Sequence, residues 1–269
     1  TYACYLAELV DAFSEEGEEN EALYQLLATS LSRLSAGDDP ALVARVLAAV
    51  QAQHDWLRDT LLHVVGIPSI TNAEADVQDA LQQHMQSIGL DVERWVATRE
   101  EMAGHLLHVG EQAVWENRPN LLGRRAGAGG EQGRSLLLNG HIDTVDPGDP
   151  AAWQHSPAGE VVGDLLYGRG SCDMKGGVVS ILAALRALDA AGVRLRGDVL
   201  VSTTVGEEDG GLGALSTMLR GYRADAAVIT EPTRLALVTA QAGSVVFRLT
   251  VPGRTAHGAV RDEGVSALE

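Results

Sequence analysis

From about residue 51 onward, short apolar segments alternate with helical ones, and the apolar segments run into clusters of Gly, His, Asp and Glu. Leu136-Leu137-Leu138 leads into Asn139-Gly140-His141-Ile142-Asp143-Thr144-Val145. Val199-Leu200-Val201 leads into Thr203-Thr204-Val205-Gly206-Glu207-Glu208-Asp209-Gly210-Gly211, and Ala226–Thr230 into Glu231-Pro232-Thr233. Helices are expected over Ala73–Ile88 (ended by Gly89), Gly177–Ala191 and Gly211–Leu219, with further strands at Leu90–Val96, Asn120–Leu122, Ser135–Asn139 and Leu165–Tyr167. Strands alternating with helices predict an α/β fold, a sheet covered by helices on both faces. Open sheets of this kind gather ligands beyond the carboxyl ends of their strands, where these clusters lie.

The first 50 residues differ. They hold nine acidic residues against two basic ones, Arg33 and Arg45, with leucines at helical spacing. Asp39-Pro40 reads as an N-cap followed by proline at the first helical position, opening a helix expected to run to about Val65. The expected organisation is a helical acidic segment over 1–50, a metal-binding domain over 51–240 and the start of another domain over 241–269. A net charge of −17 and a pI near 4.8 argue against nucleic acid as a partner of the whole surface, because phosphate neutralisation needs clustered Lys and Arg. No apolar run reaches membrane-spanning length, and two cysteines, Cys4 and Cys172, cannot build a disulfide framework. A reduced, cytoplasmic setting is the expectation. The chain opens on Thr1 and stops at Glu269 within an apparent helix start, which suggests a piece of a longer polypeptide.

Each cluster has a plain reading and a chemical one. His141 and Asp143 are two apart and share a strand face; an acid can orient a metal-ligating imidazole. Asp173, in Gly168-Arg169-Gly170-Ser171-Cys172-Asp173-Met174-Lys175-Gly176-Gly177, is either the N-cap of the next helix or a carboxylate held in a Gly-rich loop for a ligand. Cys172 reads as a small buried filler beside it. Glu207-Glu208-Asp209 is a solvated turn or a set of like charges that needs a cation. Glu231 either begins a turn or faces the same site. The Gly-rich stretch Ala126–Gly133 reads as a flexible hairpin turn, since no helix follows it as phosphate binding requires. One imidazole and several carboxylates on one sheet edge, without thiolates, suit catalytic Zn²⁺, with Co²⁺ or Mn²⁺ as substitutes. The excess of acids suggests two metals sharing a carboxylate, and so a metal-dependent hydrolase.

These residues also resemble a known family. Gly140-His141-x-Asp143-Thr144-Val145, Gly168-Arg169-Gly170-x-x-Asp173-Met174-Lys175-Gly176-Gly177, Glu207-Glu208-x-Gly210-Gly211 and Glu231-Pro232-Thr233 are similar to the dinuclear zinc amidohydrolases and peptidases. That family includes acetylornithine deacetylase, succinyl-diaminopimelate desuccinylase, aminoacylase and the glutamate carboxypeptidases. The resemblance covers about residues 51–269. It implies a mixed, mainly parallel sheet of the zinc exopeptidase type with an inserted α+β lid or dimerisation domain. It implies His141 and Glu231 on one zinc, Asp173 bridging two, Glu208 on the second, Glu207 as general base and Asp143 behind His141. The peptide after Asp173 would be cis, as the family's is. The implied substrate is an N-acyl amino acid or short peptide, and the implied assembly a homodimer through the lid. His257, in Arg254-Thr255-Ala256-His257-Gly258-Ala259, is either a loop histidine or the lid histidine that reaches a partner's site and stabilises an oxyanion. Gly206 stands where the family often has an acid.

In the family the second metal's last ligand is a histidine near the C-terminus, beyond residue 269, so the chain as given is expected to be inactive alone. The N-terminal stretch, with Tyr5-Leu6-Ala7-Glu8-Leu9-Val10-Asp11 and Leu34-Ser35-Ala36-Gly37-Asp38-Asp39-Pro40, resembles the helical part of the RecO recombination-mediator family over about 45 residues. That family's nucleotide-binding barrel and cysteine cluster do not appear here. The competing reading is therefore a helical interaction module of the RecO type joined to a non-functional hydrolase fragment.

Overall fold

The computed structural model describes residues 39–105, 114–129, 133–233 and 249–267. The chain divides into two compact units, Thr1–Ala236 and Leu237–Glu269. Helix α1, Pro40–Gln51, begins as its sequence dictates: the Asp39 carboxylate accepts from Ala41 N at 3.0 Å and Pro40 opens the first turn. One helix to Val65 was expected; there are two. The break falls at Ala52–Gln53, where Gln53 leaves helical geometry with φ −108° and ψ 7° before α2, His54–Gly66. Each piece then lays its own apolar stripe into one core, Leu42, Val46 and Val50 from α1 and Leu61, Val64 and Val65 from α2. The boundary placed at residue 50 therefore cuts the end of a helix that belongs to the α/β core, and residues 1–38 lie outside the described ones.

Helix α3, Ala75–Ser87, is followed by Gly89 in the left-handed region, φ 78°, and by strand β1, Asp91–Val96. The remaining strands are β2 Pro119–Arg125, β3 Leu136–His141, β4 Glu160–Val162, β5 Leu165–Tyr167, β6 Val199–Thr204 and β7 Ala226–Ile229. Helices α4, Gly176–Ala190, and α5, Leu212–Leu219, complete the first unit's described helices. The five-stranded sheet has the order β1-β2-β6-β3-β7. Strand β2 is antiparallel to both neighbours, while β6, β3 and β7 pair in parallel, so all but β2 share one direction.

Alternation sorts the strands' side chains to two faces. Leu121, Leu136, Leu138, Val199 and Val201 meet α1, α2, α3 and α4 in the main core. Leu122 and Leu200 face the other way, toward Trp95, with Leu137 and Tyr222 packed alongside. Helix α5 reaches that second face, where Trp95 Nε1 donates to Ser216 Oγ at 2.9 Å. Helices thus cover both sides, as the sequence predicted.

Two local expectations are corrected. Leu165–Tyr167 is a strand, but it pairs with Glu160–Val162 in a separate two-stranded ribbon rather than in the main sheet. The Gly-rich stretch is no hairpin turn, because β6 lies between β2 and β3. Its described part is fastened: Ala128 N donates to Leu195 O and Gly129 N to Arg196 O, both at 2.8 Å, and Gly127 N to the Asp198 carboxylate at 2.9 Å. A Cβ on Gly127 would stand 2.4 Å from the Gly197 carbonyl carbon, so glycine serves close backbone approach there.

Candidate metal centre

Register sets the site. His141 on β3 pairs with Thr204 on β6, and Asn139 on β3 with Ile229 on β7, so the three parallel strands end side by side. The segments leaving them carry Asp143, Glu207-Glu208 and Glu231. Asp173 arrives from the turn Ser171–Lys175, immediately before α4. It is not the cap of that helix, whose cap position falls to Lys175. The Asp173–Met174 peptide is cis, as the family resemblance implied.

The Asp173 carboxylate instead faces His141, with Oδ1 3.0 Å from Nε2. Glu231 Oε1 lies 3.7 Å and Glu207 Oε2 3.9 Å from the same nitrogen. His141, Asp173 and Glu208 present ligand atoms within 4.8 Å of one another. The other ring nitrogen, Nδ1, lies 2.9 Å from the Asp143 carbonyl. A carbonyl only accepts, so Nδ1 carries a proton and Nε2 is the nitrogen left for a cation.

Asp143 does more than orient the imidazole, and partly by another atom than expected. Its backbone carbonyl takes the ring N–H, while its buried carboxylate, 3.4 Å from Nδ1, accepts from Glu207 N at 3.1 Å, Glu208 N at 3.2 Å and Thr71 Oγ1 at 3.1 Å. One side chain therefore ties the ends of β3 and β6 together. Asp209 does not join the centre; it turns to Arg118, Nη1 to Oδ2 3.3 Å. Cys172 is exposed, not a buried filler.

The carboxylates of the centre crowd one another around His141. Burial, then the neighbouring Asp173, Glu207 and Glu208 carboxylates, push Glu231 up to about 7 against the pull of His141. Burial and the same crowding raise Glu208. Burial opposes charge on His141, but its hydrogen bonds to Asp143 and Asp173 and the nearby Glu231 outweigh that and carry it to about 10. Asp173 is held low by its hydrogen bond to His141. In the absence of metal the imidazolium supplies a positive charge that several acids share. One imidazole nitrogen and several hard carboxylate oxygens, with no thiolate among them, suit a divalent metal such as zinc. The donor set fits.

Several contributors carried no signal in the sequence. Ser69 Oγ donates to Ile142 O at 2.6 Å, and Ser69 O accepts from Thr144 N at 2.9 Å, fastening the segment after β3. Lys175 is buried, its ammonium donating to Val64 O at 3.0 Å and Ile67 O at 2.8 Å, and burial lowers it to about 8. Glu74 and Arg118 form a buried pair beside the acid turn. Ser69, Glu74 and Arg118 sit in no recognisable cluster, and Lys175 lies in the Gly168–Gly177 cluster without having been assigned a role there. His257 lies in the second unit, exposed, where its Nδ1 accepts from Ala259 N at 3.2 Å and caps the short helix Gly258–Glu263.

Residues 137–263 match the family model "Peptidase family M20/M25/M40", and residues 1–53 match "Recombination protein O C terminal". The segment 137–263 is similar to that peptidase family. The chain is 35% identical over 200 residues to a succinyl-diaminopimelate desuccinylase of Alkalilimnicola ehrlichii, covering 70% of this chain and 48% of the relative. It is 29% identical over 215 residues to an N-formyl-4-amino-5-aminomethyl-2-methylpyrimidine deformylase of Halalkalibacterium halodurans, covering 78% and 46%. Among solved structures, the dipeptidase Dug1p of Saccharomyces cerevisiae superposes with a TM-score of 0.57 at 18% identity, covering 70% of this chain and 40% of that one. The chain spans about half the length of the curated relatives it matches. The M20 match contains every cluster residue of the centre, and the match over residues 1–53 agrees with the resemblance of the N-terminal stretch. Among the described residues no helix is long and apolar enough to cross a membrane.

Proposed function

We propose that this chain carries the metal-binding part of an M20 amidohydrolase that removes an N-acyl group from an amino acid. The observation that carries the reading is the convergence of His141 Nε2 with the Asp173 and Glu208 carboxylates within 4.8 Å at the sheet edge. Two zinc ions per complete subunit are proposed, with Co²⁺ or Mn²⁺ as substitutes: His141 and Glu231 on one, Glu208 on the other, Asp173 between them. Bound metal would supply Lewis-acid polarisation of the amide and a water of lowered pKa. Glu207, whose carboxylate lies at the rim and is about half exposed, would take a proton from the attacking water and return it to the leaving amine nitrogen. Asp143 holds the Glu207 and Glu208 amides so that both carboxylates stay turned toward the centre. His257 is proposed to reach a partner subunit's site in a dimer formed through the lid, in the cytoplasm, where it would steady the developing oxyanion.

The relatives named for desuccinylation and deformylation favour an acyl amino acid or acylated amine; a dipeptidase of the same family is the second reading, favoured by the fold shared with Dug1p. A helical interaction module of the RecO type attached to an inactive hydrolase part is the reading from another class, and it rests on the match over residues 1–53. Metal analysis of the protein, with a panel of N-succinyl, N-formyl and N-acetyl amino acids beside dipeptides, separates the three. About two equivalents of zinc are expected in the complete subunit, where Glu207→Gln should keep metal and fold and lose roughly 10²–10⁴ in kcat, the usual contribution of a positioned acid–base group. A protein that binds no metal would overturn the enzyme reading.

A further inference from the structure

The turn that carries Glu207 and Glu208 is held from two sides. Asp143 grips its backbone at both amides. At Gly206 and Asp209, which flank the two glutamates, stands Arg118, whose side chain is fully buried, as is that of Glu74. Arg118 Nη2 meets Glu74 Oε1 at 2.6 Å and its Nε lies 3.1 Å from both Glu74 oxygens, so that carboxylate already balances the guanidinium's charge. The remaining nitrogen, Nη1, donates to Val114 O at 3.1 Å and to Asp209 Oδ2 at 3.3 Å. Asp209 directly follows Glu208, and its side chain is 30% exposed. At Gly206, φ 67°, a Cβ would stand 2.7 Å from Arg118 Nη2 and 2.8 Å from Asp209 Oδ1, so the guanidinium and the carboxylate close directly over the start of the turn.

Gly206, Gly210 and Gly211 all have positive φ, and a turn with so many glycines is intrinsically soft. The two glutamates point toward Asp173 and Glu231, and like charges drive such carboxylates apart. We propose that Arg118, acting through Asp209, positions the Glu207–Glu208 turn and holds it in metal-binding geometry against that repulsion. Asp209 is thus a positioning residue rather than a ligand. The inference rests on the metal centre proposed above.

Cobalt(II) titration of the chain, followed by visible absorption, tests it alongside urea unfolding of the metal-free protein. Asp209→Ala should weaken Co²⁺ binding roughly 10–100-fold, the usual effect of losing an outer-sphere partner, and should change the visible bands. The urea midpoint should hardly move, because Glu74 still pairs with Arg118. Asp209→Asn keeps an acceptor for Nη1 without the charge and should recover most of the affinity. Asp209→Ala binding Co²⁺ within about twofold of wild type, with the same spectrum, would overturn the inference alone. So would an Asn variant as weak as the Ala variant, which would make the effect one of net charge. Wild-type protein that takes up no Co²⁺ overturns the metal centre itself, and the inference with it.

Discussion

Gly177 stands where α4 crosses the end of β7, and replacing it with alanine sets two effects against each other. Alanine is the better helix former, and in a helix interior the exchange favours folding by about 0.8–1 kcal/mol. The new Cβ, however, would lie 2.4 Å from the Thr230 carbonyl oxygen, 2.6 Å from its Oγ1 and 2.9 Å from its Cβ. Neither side yields cheaply. Thr230 is buried and its amide is bound to Asn139 O at 3.3 Å, while α4 has most of its residues buried in the main core. Overpacking of a tight core costs about 1–3 kcal/mol, and a backbone oxygen at this distance calls for the upper end. The clash wins, leaving a net loss of about 2 kcal/mol. With a urea m-value of about 2 kcal/mol/M, the unfolding midpoint should fall by roughly 1 M. Circular dichroism during urea titration measures this directly. Because Thr230 precedes Glu231, the same variant should also bind Co²⁺ more weakly. A midpoint for Gly177→Ala equal to or above that of wild type would mean that α4 has room at its start, and that the glycine is there for some other reason.

The metal-free protein should lose stability as pH rises from about 5 to 8, above which the lowered Lys175, with a folded pKa of about 8, offsets the contribution of His141. Glu231 and His141 both have folded pKa values above their ordinary ones, about 7 against 4.5 and about 10 against 6.5. The folded state therefore binds more protons than the unfolded across those windows, and their contribution declines with rising pH. Thermal melting in chelator at several pH values checks the sign; a melting temperature that climbs steadily over this range would contradict it, and added zinc should narrow or reverse the decline by replacing those protons. Starting the chain at Ala52 instead of Asp39 removes Leu42, Val46 and Val50, each worth about 1.5–3 kcal/mol on burial, a sum comparable to the whole stability of a domain. The shorter chain should show no cooperative melt at 25 °C and above, and one that melts within a few degrees of the longer form would show that α1 is dispensable.

The polypeptide alone determined where chemistry sits along the chain. Apolar runs ending in His141-x-Asp143, Glu207-Glu208 and Glu231 imply strand ends by periodicity, and the glycines around Asp173 imply a special turn; these are local patterns, legible at a spacing of a few residues. The Asp39-Pro40 start of α1 was equally local. The alternatives at each cluster could not be settled locally. Asp173 as cap or ligand, and Asp209 as part of the site or outside it, depend on which side chain lies opposite, and His141 and Arg118 are 32 and 91 residues away from them. The pairing order β2-β6-β3 likewise turned an apparent hairpin into a crossing, since strand neighbours are chosen by core packing over the whole sheet. The break between α1 and α2 has no Gly or Pro to mark it; it exists because two apolar stripes must both reach one core. The buried Glu74–Arg118 pair, separated by 44 residues, leaves no periodic trace, and only tertiary packing makes the two charges neighbours that must satisfy one another.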